Sequence, residues 1–157
     1  MRAKLTIAAL LMVPLLAAGR READWVSLRR GPCFGNCPIY EVTLRDDGSA
    51  TYLGGDYAPR RGRHEGRVDP RQVAQLVERL HEVGFWEMRV DRQLRVMDMP
   101  AATLRAERRG RRQQVHTNLP PRELAPIQAA IDSIADEIDW HPAQESRPRP
   151  VAFRPES

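Results

Sequence analysis

The stretch "GPCFGNCPIY", Gly31 to Tyr40, carries both cysteines of this 157-residue chain, Cys33 and Cys37, with Phe34, Gly35 and Asn36 between them and Pro38 after the second. Two sulfurs at this spacing suit three chemistries: thiol–disulfide exchange, half of a metal site, or a staple across a turn. Exchange of the thioredoxin kind has two intervening residues and opens a helix, whose N-terminus lowers the thiol pKa. Here three residues intervene and strand patterns lie on both sides. A metal site needs two further ligands at close spacing. His64, His81, His116 and His141 stand apart from the cysteines and from one another, so no metal is expected. Covalent haem is disfavoured because Pro38, not histidine, follows Cys37. The staple rests on reach. Cysteines four apart in an extended chain lie about 13 Å apart, and a bridge needs Cα atoms within about 7 Å, so the chain must reverse between them. Gly35 and Asn36, the residues most tolerant of left-handed backbone, sit where that reversal falls.

Other reactive constellations are sparse. Asp91 and Asp98, or Asp56 and Glu65, could form a carboxylate pair, but acids in loops are ordinarily turn formers or surface charge. There is no Gly-x-Ser-x-Gly, no phosphate-cradling glycine loop and no nucleophile–base arrangement readable from spacing. No catalytic residue and no cofactor is assigned, and no enzyme class stands out.

The elements that must hold the cysteines are legible around them. Val26 and Leu28 alternate with Ser27 and Arg29, and Tyr40, Val42 and Leu44 alternate with Glu41 and Thr43, the period of half-buried strands. If Cys33 faces Cys37, Leu28 falls opposite Val42, Val26 opposite Leu44, and Arg29 opposite Glu41. Apolar then meets apolar on one face, and opposite charges meet on the other. A slip of one residue would scramble both faces. A turn at Asp46-Asp47-Gly48 brings a third strand, Ser49 to Leu53, into the same scheme, with Leu44 meeting Ala50 and Val42 meeting Tyr52.

"DPRQVAQLVERLHEVG" predicts a helix capped by Asp69, started by Pro70 and ended by Gly84, with Val73, Leu76, Val77, Leu80 and Val83 on one stripe. Phe85 and Trp86 should drop into the core. A second hairpin turns near Gly110, and a last helix carries Leu124, Ile127, Ile131, Ile134 and Ile138, starting late enough to admit Pro126. The expected fold is α+β: an antiparallel sheet of about five strands with two helices on one face, in the order β-β-β-α-β-β-α.

The ends of the chain read differently. Arg2 and Lys4, the apolar run Leu5 to Leu16 and the small residues Ala17-Ala18-Gly19 form a signal-peptide pattern over residues 1–19. The run is shorter than the roughly 20 residues of a membrane span, so no stable span is expected after cleavage. Cleavage would remove Arg2 and Lys4 and lower the formal net charge from +4 by two. An export signal implies a periplasmic or secreted protein, where Cys33 and Cys37 should close. One domain is expected over residues 24–140, and residues 141–157, rich in proline and arginine, read as a disordered tail. Lys4 is the sole lysine, and the arginine clusters have few aromatics to interleave for base stacking, so nucleic-acid binding is not supported.

The pattern Cys33-x-Gly35-x-Cys37-Pro38-x-Tyr40, followed by Gly48, Tyr52 and Gly54, resembles a bacterial family described as domain of unknown function 6438. The likeness continues through "VGFWEM", the aspartate and proline of "MDMP", and "ELAPIQAAID", covering roughly Asp24 to Trp140. The resemblance implies the fold and export and carries no established activity. Together these readings describe an exported, non-enzymatic domain that binds a partner protein or envelope component. Its expected contact surface is the motif loop of Gly31, Pro32, Phe34, Gly35, Asn36, Pro38 and Tyr40. Phe34 either stands at the tip or folds back onto the core. The alternative is a periplasmic thiol–disulfide protein using Cys33 and Cys37.

Overall fold

Two strands flank the cysteine loop. β1 (Trp25–Arg30) and β2 (Tyr40–Arg45) run antiparallel, with Val26 opposite Leu44, Leu28 opposite Val42, Ser27 opposite Thr43 and Arg29 opposite Glu41. This is the register that the alternation and the facing cysteines require. β3 (Ser49–Gly54) extends it, Ala50 meeting Leu44 and Tyr52 meeting Val42. The turn before it needs Gly48 at φ 81°, where a side chain would be strained. Val26, Leu28, Val42 and Leu44 are fully buried on one face. The structure, a computed structural model, describes residues 23–89 and 99–144. The signal-like residues 1–19, Asp91 and Asp98, and the tail beyond residue 144 lie outside them.

The sheet has seven strands rather than about five, arranged β6-β5-β1-β2-β3-β4-β7 with every pairing antiparallel. The chain order is β-β-β-β-α-β-β-α-β, so the expected order is corrected at two places. β4 (Gly62–Arg67) escapes an alternation reading because its core-side positions are Gly62, His64 and Gly66, opposite Gly54, Tyr52 and Ala50. The core there is filled from above. A Cβ on Gly66 would lie 2.4 Å from Ile138 Cγ2 and 3.2 Å from the Trp140 ring. The strand must therefore be bare for the chain leaving the second helix to settle on it. β7 (His141–Pro142) follows at once, beyond the expected domain limit at residue 140, and pairs with His64 and Glu65. It is too short to show a period.

β5 (Ala102–Arg108) and β6 (Arg111–Thr117) form the second hairpin, turning at Arg109 and Gly110 with φ of 51° and 81°. That two-residue loop matches strand twist. β5 then takes the free edge of β1.

Both helices cover the face that carries Val26 and Leu44. α1 (Pro70–Glu82) is capped by Asp69, whose Oδ1 accepts from the Arg71 amide at 2.8 Å, and Gly84 ends it at φ 69°. A 3-10 turn, Phe85–Glu87, buries Phe85 and Trp86, and the indole donates to the Arg111 carbonyl at 3.0 Å. α2 (Ala125–Glu137) admits Pro126 in its first turn, where no amide is required. Leu124, Ile127, Ile131 and Ile138 bury against the sheet. Each such side chain contributes roughly 1.5–3 kcal/mol. The opposite face of the sheet carries polar side chains and no helix among the described residues. Among those residues no helix is long and apolar enough to cross a membrane.

Candidate functional site: the cysteine loop and the end of the sheet

Cys33 and Cys37 are joined by a disulfide, with Cα atoms 5.7 Å apart. Gly35, at φ 149°, makes the reversal, and its amide donates to the Cys33 carbonyl at 2.9 Å. Both feet of the loop are held by neighbouring segments, the residue before β5 and the β3–β4 connection. The Gly31 amide donates to the Ala101 carbonyl at 2.7 Å, the Ile39 amide to Asp56 at 3.0 Å, and the Gly55 amide returns to Ile39 at 2.8 Å. The tip is free: Phe34 is 92% exposed, so it does not fold back onto the core.

The motif tyrosine anchors this loop to α2. Tyr40 Oη donates to Asp132 Oδ1 at 2.6 Å, while Arg30 Nη2 reaches Asp132 Oδ2 at 2.5 Å and Arg30 Nη1 reaches Gln128 Oε1 at 3.1 Å. Burial, then the hydrogen bond to Asp132 and its charge, push the Tyr40 hydroxyl well above its ordinary range. The last residue of β1 and the first of β2 are thus tied to one helix, Arg30 balancing the charge of Asp132 and the Tyr40 hydroxyl adding a hydrogen bond to its other oxygen. Sequence reading singled out Tyr40 and missed Arg30, Gln128 and Asp132. The available signal was Gln128 and Asp132, polar residues four apart on a helix otherwise turned inward by isoleucines.

The loop belongs to one end of the sheet. Thr117, Ala102, Arg30, Tyr40, Gly54 and Gly62 form a single row across six strands. Beyond or beside this row stand Phe34, Leu53, Tyr57, Met99 and Leu119, the exposed large hydrophobic side chains of the described residues. The opposite end, with its turns at Gly48 and Gly110, has none of them. Gly54 lets the β3–β4 connection fold across this end, since a Cβ there would sit 1.6 Å from the Arg60 carbonyl oxygen.

On the polar face the register brings Arg29 opposite Glu41, but the carboxylate goes elsewhere. Glu41 Oε1 accepts from Arg105 Nη1 at 2.9 Å and from Ser27 Oγ at 3.2 Å. Arg105 Nε also donates to Gln114 Oε1 at 2.9 Å, and Thr103 Oγ1 lies 2.7 Å from His116 Nδ1. β5, a neighbour that sequence reading did not place, competes successfully for Glu41. Further along, the buried Glu107 accepts from Trp25 Nε1 at 2.9 Å and from Arg112.

The remaining candidates are dispersed. Asp56 pairs with Arg61, and Glu65 lies 3.8 Å from Arg63 on β4. His64 packs edge-on to Tyr52, His81 to Trp86, and His141 sits 3.6 Å from Asp139. Among the described residues no group of three or more His, Cys, Asp or Glu side chains is placed to hold a metal ion.

No curated protein and no solved structure matches the chain. Residues 24–135, from the start of the sheet to the third turn of α2, match the family model described as Domain of unknown function (DUF6438), and the chain belongs to that family.

Proposed function

We propose that this protein is an exported binding module of the cell envelope, non-enzymatic, whose contact surface is the end of the sheet built around the Cys33–Cys37 loop. One observation carries the reading: Phe34, Leu53, Tyr57, Met99 and Leu119, the exposed large hydrophobics of the described residues, all gather at that end. Exposed apolar side chains scattered singly call for no explanation, whereas their collection along one end of the sheet supports a contact surface there. The disulfide, the feet held at Ala101 and Asp56, and the Tyr40–Asp132 bond support a pre-ordered tip, which lowers the entropy lost on binding. The signal-like residues 1–19 support export to an oxidising compartment.

The test is site-specific photo-crosslinking in cells, with the reactive residue in place of Phe34, Tyr57 or, at the opposite end, Asp47. Adducts to one envelope component from positions 34 and 57 but not 47 are expected. Equal labelling from all three, or none, overturns the reading. Recovery of the protein from the cytoplasm alone overturns export.

A thiol–disulfide role is the second reading, favoured by the exposure of Phe34, Gly35 and Asn36 beside the sulfurs. No helix begins at either cysteine to lower a thiol pKa. A reduction potential near about −200 mV supports exchange, and one below about −300 mV supports a structural bridge.

A further inference from the structure

Beside the motif loop, on the polar face of the sheet, a cleft of about 370 Å³ opens between the end of β1 and the β5–β6 hairpin. Gly31 and Pro32 form one wall with Ala101, and Arg29, Arg105 and His116 project around it. That volume falls at the lower limit of small-molecule sites, which combine an apolar wall with a few placed polar groups.

The charges in the cleft do not balance. Arg105 is compensated by Glu41, at 2.9 Å, and steadied by Gln114. Arg29 is not. Its cross-strand partner Glu41 has been taken by Arg105 and Ser27, and among the described residues no carboxylate pairs with the Arg29 side chain. No carboxylate among the described residues lines the cleft either. Thr103, buried at the floor, holds the His116 ring through Nδ1 at 2.7 Å, which leaves Nε2 on the far side of the ring. The result is one guanidinium with no carboxylate partner among the described residues, the hydrogen-bonding groups of Thr103, Gln114 and His116 around it, and a Pro32–Ala101 wall.

We propose that this cleft binds a small organic carboxylate, its oxygens held by the Arg29 fork and its apolar part laid against Pro32 and Ala101. A guanidinium and a carboxylate match in shape and form paired, charge-assisted hydrogen bonds. Net charge selects the class. A single free positive charge balances a monoanion and leaves a phosphate dianion half-compensated. The site is separate from the apolar tip, and it stands or falls independently of the binding surface proposed above.

The experiment is a nitrogen-15 NMR titration of the oxidised full chain with acetate, with N-acetylglycine and with inorganic phosphate, chloride holding ionic strength constant. Saturable shifts confined to Arg29, Gly31, Thr103 and His116 are expected, tighter for N-acetylglycine than for acetate because only the former reaches the wall. Arg29→Gln should weaken binding about tenfold or more, the scale of one charged pair. Arg29→Lys should recover part of it, and Arg45→Gln, on the same face at the far end of β2, none of the loss. Arg29 is exposed on its strand, so a dispersed spectrum of Arg29→Gln certifies its fold. Shifts that never saturate, equal binding by Arg29→Gln, or stronger binding of phosphate each overturn the proposal.

Discussion

Replacing both cysteines by serine isolates what the staple does. The ring closed between Cys33 and Cys37 spans four peptide links, and in the chain-entropy account such a ring restricts the unfolded chain by about 2 kcal/mol. With an unfolding entropy near 2.1 cal/mol/K per residue, over roughly 117 residues, that loss lowers Tm by about 8 °C. The fold itself should survive, because the loop's feet are held without the sulfurs: Gly31 to Ala101, Ile39 to Asp56 and Gly55, Tyr40 to Asp132. Thermal unfolding followed by circular dichroism, on the Cys33→Ser/Cys37→Ser variant and on wild type with and without reductant, reads the effect. Reduced wild type should coincide with the variant. Loss of cooperative unfolding would show that the loop carries part of the core's organisation, and a shift under about 2 °C would show that the oxidised ring constrains nothing the unfolded chain lacks.

Tyr40→Phe strands half of Asp132's hydrogen bonding and should cost about 1–1.5 kcal/mol by urea unfolding at neutral pH. The Tyr40 and Tyr52 hydroxyls are both raised above their ordinary 10.0, Tyr40 by burial and then Asp132, Tyr52 chiefly by burial. The folded chain therefore holds these protons more tightly, and the stability that the two tyrosines contribute is fully present below about pH 10 and declines as pH rises further; urea midpoints measured above about pH 10 should fall in wild type and fall less in Tyr40→Phe. Gly66→Ala places a methyl group 2.4 Å from Ile138 Cγ2 and should destabilise by about 1–3 kcal/mol, with added hydrogen exchange at β7. Asp69→Ala removes the bond to the Arg71 amide and should cost about 1 kcal/mol in the same urea assay, with the fold intact.

Local signals carried most of the central architecture. The β1–β2–β3 register, the Asp69 and Gly84 helix boundaries, the Gly110 turn and the reversal at Gly35 all follow from alternation or from residues with unusual backbone freedom. Such features are decided within a few residues, so the sequence states them directly. The polar arrangements are different. Arg29 opposite Glu41 was read correctly as a register and misleads as an ion pair, because Arg105 arrives from a strand some 60 residues away and claims the carboxylate. Arg30, Tyr40 and Asp132 likewise meet only once α2 lies on the sheet.

By itself, then, the sequence determined the stapled turn, the apolar face of the first three strands and the two helices that cover it, since each depends on spacing between neighbours. Tertiary structure alone decided β4 and β7, the collection of exposed hydrophobics at one pole, and the loss of Glu41 as a partner for Arg29. A glycine strand is intelligible only when Ile138 and Trp140 rest on it, and a charge is unpaired only when every competitor for its partner is in place.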